Sequence, residues 1–255
     1  MKVTILGCGG ASGVPAISAG WGACDPANPR NRRRRPSILV EDCGSRILVD
    51  TSPDLRAQLL GAGVNRLDAV IYTHDHADHL HGIDDLREVN RAMKGPLPIW
   101  ASETTLATIG ERFGYVLEPL SPGATSIYKP LLVPNIIRAP FAAGTIRVVP
   151  FDQDHGYGRT VGLRFGPIAY STEVVAMPDE SFAALAGIDT WIVGCLVDYP
   201  HMTHAHVDKV LEWAERVKPR RTVLTHMGPR LDYDALKARL PAHVEPGYDG
   251  MVLEA

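Results

Sequence analysis

No two cysteines stand in a CxxC spacing, and no apolar run approaches the ~20 residues a membrane-spanning helix needs. The four cysteines, Cys8, Cys24, Cys43 and Cys195, are scattered along the 255 residues. That argues against a cysteine zinc site, implies no disulfide framework, and fits a reducing compartment. The apolar stretch at Val3–Leu6 is too short for the core of a signal peptide, so the expected setting is cytoplasmic, away from any membrane. An excess of positive charge is also lacking. Lys and Arg number 26 against 29 Asp and Glu, a formal net charge of −3, which excludes a chain-wide basic field for nucleic acid. Low-complexity tracts are absent, and 45% hydrophobic with 22% charged residues excludes wholesale disorder.

A nucleotide-binding glycine loop is missing as well. Residues 2–6 read as a buried first strand, and Gly7-Cys8-Gly9-Gly10 follows. Ser12 stands where GxGxxG needs its third glycine, and the proline- and glycine-rich stretch beyond cannot form the required helix. No Gly-Lys-Ser/Thr follows either, which excludes a P-loop.

What is present alternates between strand and helix. Residues 37–42 and 45–50 predict a hairpin around Asp42-Cys43-Gly44-Ser45. Thr51-Ser52-Pro53-Asp54 caps a helix through residue 63. Strands are expected at 68–73, 97–101, 145–151, 160–165, 167–171, 190–195 and 221–225. Helices are expected over 83–92, from Ser102, near 179–186 and over 204–217, where Val207, Val210, Leu211 and Ala214 share one face. Residues 114–142 are proline-containing with little periodicity, which reads as a long loop or hairpin insertion of the sort that closes over sites. The pattern indicates one α/β domain of layered sheets and helices.

The densest chemistry is Thr73-His74-Asp75-His76-Ala77-Asp78-His79, directly after the strand at 68–73. Three histidines and a carboxylate so close together cannot all be core filler, because each buried imidazole needs a polar partner. The mixed nitrogen and oxygen set suits Zn²⁺, Mn²⁺ or Fe at a catalytic site.

His74-x-His76-x-Asp78-His79 after a strand resembles the signature of the metallo-β-lactamase superfamily. The similarity continues along almost the whole chain: Asp50 at a strand end, His155 in Asp154-His155-Gly156, Glu173 in Ser171-Thr172-Glu173, and His226 in Leu224-Thr225-His226. This resemblance implies a four-layer αββα sandwich built as a single domain over 1–255. It implies two divalent metal ions, Zn or Mn, one held by His74, His76 and His155 and the other by Asp78, His79 and His226. The carboxylate at position 173 would bridge them, with Asp50 orienting ligands beside the bridge. Asp50 and Asp78 count among the catalytic residues. The family usually carries Asp at the bridging position. Glu173 has a longer reach, so bridging, binding one ion only, or moving the ions apart all stay open. Asp152 and Asp154 read as loop or capping residues.

Two ions roughly 3.5–4 Å apart lower the pKa of a bridging water and polarise the bond under attack. Phosphodiester, thioester, lactone and β-lactam hydrolysis all fit that chemistry. The glycine loop Gly7–Pro15 and the ending Glu245-Pro246-Gly247-Tyr248-Asp249-Gly250-Met251 resemble the phosphoribosyl cyclic phosphodiesterases of the carbon–phosphorus lyase pathway; ribonuclease Z is a more distant relative. That subfamily uses a further histidine as phosphate contact and general acid. His204 matches it, at the start of the predicted helix where the dipole favours an anion, and His206 is the second choice. The subfamily also carries a structural zinc, with three cysteines after the glycine loop and a histidine after the last metal histidine. Only Cys24 remains here and Pro229 takes the place of the histidine, so that zinc is expected to be missing, with Trp21 and the prolines holding the loop.

The run Arg32-Arg33-Arg34-Arg35 reads either as a solvated or ion-paired surface segment or as a phosphate contact, Arg35 being its candidate; nuclear targeting is a third reading. The leading expectation is a dinuclear metal phosphodiesterase acting on a small cyclic or nucleotide-like phosphodiester. Its alternatives are a thioester, lactone or β-lactam hydrolase, and a metal- or RNA-binding protein with weak catalysis. The expected partner is a small molecule, with RNA and a homodimer left open.

Overall fold

Runs such as Ile38-Leu39-Val40 and Ile47-Leu48-Val49 are apolar on consecutive residues, the mark of strands covered on both faces. The computed structural model, which describes residues 1–255, places them in that setting. Its elements in chain order are β1 (Lys2–Gly7), β2 (Ser37–Asp42), β3 (Ser45–Val49), α1 (Leu55–Ala62), β4 (Ala69–Ile71), α2 (Ala77–Leu80), α3 (Leu86–Met93), β5 (Leu97–Ala101), α4 (Glu103–Phe113) and β6 (Leu132–Ile136). There follow β7 (Phe141–Ala143), β8 (Ile146–Asp154), β9 (Arg159–Phe165), β10 (Ile168–Ser171), α5 (Asp179–Ala184), β11 (Thr190–Gly194), α6 (Val207–Val217), β12 (Arg221–Thr225), α7 (Tyr233–Arg239), β13 (Val244–Pro246) and β14 (Val252–Glu254).

The strands form two seven-stranded mixed sheets, ordered β14-β1-β2-β3-β4-β5-β6 and β13-β12-β11-β10-β9-β8-β7. Side chains alternate across each strand. Ile38, Val40, Ile47 and Val49 enter a 38-residue core shared with Leu163, Phe165 and Trp191 of the second sheet. Leu39, Leu48 and Val70 point the other way, into a 19-residue core with Leu55, Leu59 and Leu86 under α1 and α3. On the second sheet Phe182, Val210 and Trp213 bring α5 and α6 against the strands. The result is the αββα layering, with parallel pairing at β3-β4-β5 and β10-β11-β12-β13. Parallel pairing aligns the ends of neighbouring strands along one edge, which is where the site gathers.

Three details differ from expectation. Helix α6 begins at Val207, not 204, because Ala205 N–H donates to Val174 and Val207 N–H to Val197, tying the segment into an isolated bridge before the helix starts. His206 is its extended N-cap, so His204 lies in the preceding loop. Residues 114–142 are no lid over the histidines. They carry β6 and β7, which are edge strands of the two sheets, and Lys129 Nζ fastens the connection to Tyr115 O and Glu118 O. The third concerns the loop at 12–35, which is held by a buried arginine rather than by Trp21 and prolines. Arg33 is 2% exposed. It donates to Leu231 O at 2.6 Å, Gly228 O at 3.2 Å and Asn31 Oδ1 at 3.3 Å, beside Cys24 Sγ. Asn31 in turn donates to Asp232 at 2.6 Å.

Candidate metal centre

Three histidines of the cluster sit just past the ends of strands, while His76 caps the short helix α2 and His79 lies within it. β4 delivers His74, β8 delivers His155 and β12 delivers His226; Asp50 follows β3, and Glu173 follows β10. Asp50, Glu173 and His226 have φ of 64°, 44° and 56°. They are three of the six non-glycine residues in the left-handed region, so the backbone strain of the molecule is concentrated here. That turn of the chain is what swings these side chains off their strands toward one another.

The donors form two groups that share Glu173: His74, His76, His155 and Glu173, and Asp78, His79, His226 and Glu173. Within each group the ligand atoms all lie within 4.8 Å of one another. Glu173 Oε2 is 2.5 Å from His74 Nε2, 2.9 Å from His76 Nδ1 and 3.0 Å from His155 Nε2. Its Oε1 is 2.9 Å from His226 Nε2 and 3.6 Å from His79 Nε2. Asp78 Oδ2 lies 3.3 Å from His226 Nε2 and 3.4 Å from His79 Nε2. The Glu173 carboxylate thus faces both groups, an oxygen to each.

A second ring of contacts fixes which ring nitrogen faces inward. Asp50, fully buried, accepts from Thr73 N–H and Thr73 Oγ1–H, both at 2.8 Å, and from His79 Nδ1–H at 2.7 Å. Thr73 Oγ1 in turn lies 3.0 Å from His74 Nδ1, and His155 Nδ1 donates to Thr203 O at 2.7 Å. With Nδ1 engaged, the Nε2 lone pairs of His74, His79 and His155 point to the centre. Thr73 and the Thr203 carbonyl were not legible as functional. Thr73 stands beside the motif without a ligand's chemistry, and a backbone carbonyl leaves no trace in residue type.

These residues fit divalent cations. His74 Nε2 and His79 Nε2 are buried and make no hydrogen bond within the protein, and five imidazoles with two carboxylates are the donors Zn²⁺ or Mn²⁺ accept. Charge is strongly coupled inside the cluster. Burial opposes ionisation of Glu173 and Asp78, yet the neighbouring imidazoles outweigh it and hold both carboxyls below the usual range. Burial also opposes the charged forms of His79 and His226. The facing carboxylates prevail, raising His79 and lifting His226 to about 9. Burial lowers His74 to about 4.

The cluster opens onto a cavity of about 460 Å³, whose wall includes His76, Ala11, Tyr157 and His204. His204 stacks on His226 with ring centroids 5.1 Å apart and meets His155 edge-on at 4.8 Å. Burial and the neighbouring imidazoles push it down to about 3, so the ring is neutral near pH 7. Gly10 packs against the back of the cluster: a Cβ there would come within 2.8 Å of Leu196 Cδ1 and 3.5 Å of the His226 ring. Two sequence candidates stand elsewhere. His206 caps α6 and does not line the cavity. Arg35 is committed to Asp54 in a two-point ion pair at 2.7 and 2.8 Å, outside the histidine cavity.

Residues 45–227 match the family described as Beta-lactamase superfamily domain. Among curated proteins the chain is 31% identical over 256 residues to an octanoyltransferase of Porphyromonas gingivalis. That alignment covers 98% of this chain and 51% of the other, so the chain spans about half the length of that relative. It is 27% identical over 261 residues to a ribonuclease Z of Mycobacterium sp. (strain KMS), covering 87% of this chain and 90% of that protein. Among solved structures, a diphosphatase from the PhnP family superposes with a TM-score of 0.91 at 32% identity, over 100% of this chain and 97% of that one.

Proposed function

Given that the chain belongs to the β-lactamase superfamily, we propose that it is a metal-dependent phosphodiesterase acting on a small cyclic or nucleotide-like phosphodiester. The observation that carries this reading is Glu173, whose two oxygens face two separate histidine groups and so define places for two cations. His74, His76 and His155 would hold one, and Asp78, His79 and His226 the other. Bound there, two Zn²⁺ or Mn²⁺ ions would supply an activated water and charge stabilisation at phosphorus.

The protein's own residues do the rest. Asp50 and Thr73 keep the inner imidazoles in one tautomer and orientation. Asp78 and Glu173 hold negative charge at the floor of the cleft, and the strand ends fix both in space. His204 stands at the wall with no side-chain hydrogen bond inside the protein. It is neutral in the free cleft, and the negative charge of an arriving phosphodiester raises its proton affinity, so that it takes a proton from solvent as the substrate binds. The imidazolium then returns that proton to the leaving oxygen as the bond from phosphorus to that oxygen breaks. Support for phosphorus over carbon comes from the PhnP-family diphosphatase, at 32% identity over the whole chain, and from the ribonuclease Z relative. The octanoyltransferase relative, of which the chain spans about half, supports a second reading as an acyl ester or thioester hydrolase. The four free thiols agree with a cytoplasmic setting.

The two readings separate in one assay. The first expects the metal-loaded protein to turn over bis(p-nitrophenyl) phosphate, with His204→Ala lowering kcat ~10²-fold or more while metal content stays the same. Faster turnover of p-nitrophenyl octanoate, indifferent to His204→Ala, would replace it with the second.

A further inference from the structure

The glycine loop and the chain ending, which the metal centre leaves unused, meet beside His226. That histidine differs from the other buried ligands. The Nδ1 atoms of His74, His79 and His155 each have a partner, whereas His226 Nδ1 is buried with none. Its backbone also sits at φ of 56°, a conformation that persists only where the surroundings hold it. The place of the His226 ring is therefore set through the main chain.

Met227, the next residue, is gripped by the glycine loop. Its N–H donates to Cys8 O at 2.8 Å, its carbonyl accepts from Gly10 N–H at 3.2 Å, and Gly9 forms a parallel bridge with it. The loop is tied in turn to the arginine segment, Gly9 N–H donating to Arg34 O at 2.8 Å. A Cβ on Gly9 would come within 2.9 Å of that oxygen, so the two chains touch. Asp249 closes the ring. Its Oδ1 accepts from Cys8 N–H at 3.0 Å and its Oδ2 from Arg34 N–H at 2.8 Å. The turn that carries it is anchored on both sides. Gly250 N–H donates to Ile5 O at 2.7 Å, and Gly247 N–H to Leu224 O at 2.8 Å, on the strand that delivers His226. Desolvation lifts the Asp249 carboxyl to about 6, so at pH 7.5 it is ionised and both oxygens accept. An amide in its place would satisfy one N–H and oppose the other.

We propose that Asp249 is a positioning residue for the metal ligand His226, acting through Cys8 and Met227, and that it sets the affinity of the cation held by Asp78, His79 and His226 while leaving the other cation untouched. No hydrogen bond of the ring reaches His74, His76 or His155, which Thr73, Glu173 and the Thr203 carbonyl hold instead. The inference rests on the two cation groups and not on which bond the ions attack.

The test is competition for Zn²⁺ between the full chain and a chromophoric chelator, read as two successive affinities. In Asp249→Asn one ion is expected to bind ~10-fold more weakly and the other to stay within ~2-fold of wild type. The weakened ion is assigned by combining variants. In His155→Ala, whose remaining ion rests on Asp78, His79 and His226, Asp249→Asn still weakens binding; in His226→Ala it changes nothing. Asp249→Ser, which keeps one acceptor and introduces no opposing amide, should show the same asymmetry at smaller size and serves if the Asn variant does not fold. Ile109→Ala, in the core under α1 and α3, lowers stability without touching the ring and should leave both affinities alone. Equal weakening of both ions, no weakening of either, an effect on the ion that remains in His226→Ala, or the same asymmetry in Ile109→Ala each overturn the proposal. Turnover of bis(p-nitrophenyl) phosphate is measured in parallel. Two bound ions with the expected asymmetry but no turnover would remove the phosphodiesterase reading and leave the role of Asp249 standing. A wild-type chain that binds no Zn²⁺ would remove both.

Discussion

His79 Nδ1 lies 2.7 Å from Asp50 Oδ2, and both side chains are fully buried. The same carboxylate accepts the Thr73 hydroxyl, which sits 3.0 Å from His74 Nδ1. One carboxylate therefore orients a histidine in each metal group without itself facing the cleft.

Asp50→Asn keeps the size of the side chain and tolerates φ of 64°, yet removes the charge that fixes the imidazoles. Metal affinity, measured by competition with a chelator, is expected to fall ~10–100-fold with the far-UV spectrum retained. Unchanged affinity would mean that Asp50 only fills space.

Glu173→Gln replaces one of the two facing oxygens with an amide that donates toward an imidazole nitrogen. Bound metal should drop from about two ions to one or fewer, and turnover by ~10²-fold or more. Full occupancy in this variant would show that Glu173 does not join the two groups.

Protons and metal compete for the same nitrogens. In the metal-free site His226 is raised to about 9 and so is charged at pH 7.5, and the carboxylates Asp78 and Asp50 raise His79 as well. Binding of metal needs both neutral, and calorimetry in buffers of different ionisation enthalpy should detect release of at least one proton. Linkage also sets the sign for stability. Groups raised above the unfolded value near 6.5 stabilise fully below it and lose that contribution as pH climbs through the folded value. The melting temperature of the metal-stripped protein should therefore fall between about pH 6.5 and 9. A rise over that window would contradict the charge assignment.

Arg33→Ala would leave the carbonyls of Gly228 and Leu231 and the Asn31 side chain without their buried donor. A loss of about 3 kcal/mol or more in urea unfolding is expected. Arg33→Lys should recover less than half, because an ammonium cannot reproduce the planar fork. A loss under about 1 kcal/mol for Ala would mean that the loop is held elsewhere.

The layered fold and most of the strands could be read from apolar runs, because Ile38-Leu39-Val40 must be covered on both faces wherever it lies. The histidine motif could be read because its donors are adjacent in sequence. The convergence of Asp50, Glu173 and His226 was legible only through family resemblance: each depends on a left-handed turn that residue type does not announce. The arginine run was legible only in part, for a related reason. Four identical residues alternate between burial and exposure, Arg33 inside and Arg32 and Arg34 out, and no pattern of type can show which one the loop draws inward. His204 was assigned to a helix start, yet it reaches the cleft wall from a loop, because backbone bonds to Val174 and Val197 delay α6 until Val207.

The most direct measurement is elemental analysis of the purified protein paired with hydrolysis of bis(p-nitrophenyl) phosphate, before and after chelation and reloading with Zn²⁺ or Mn²⁺. About two ions per chain, with turnover that is lost on chelation and restored on reloading, is the result predicted from Glu173 facing both histidine groups. One ion or none, or turnover indifferent to chelation, would contradict it.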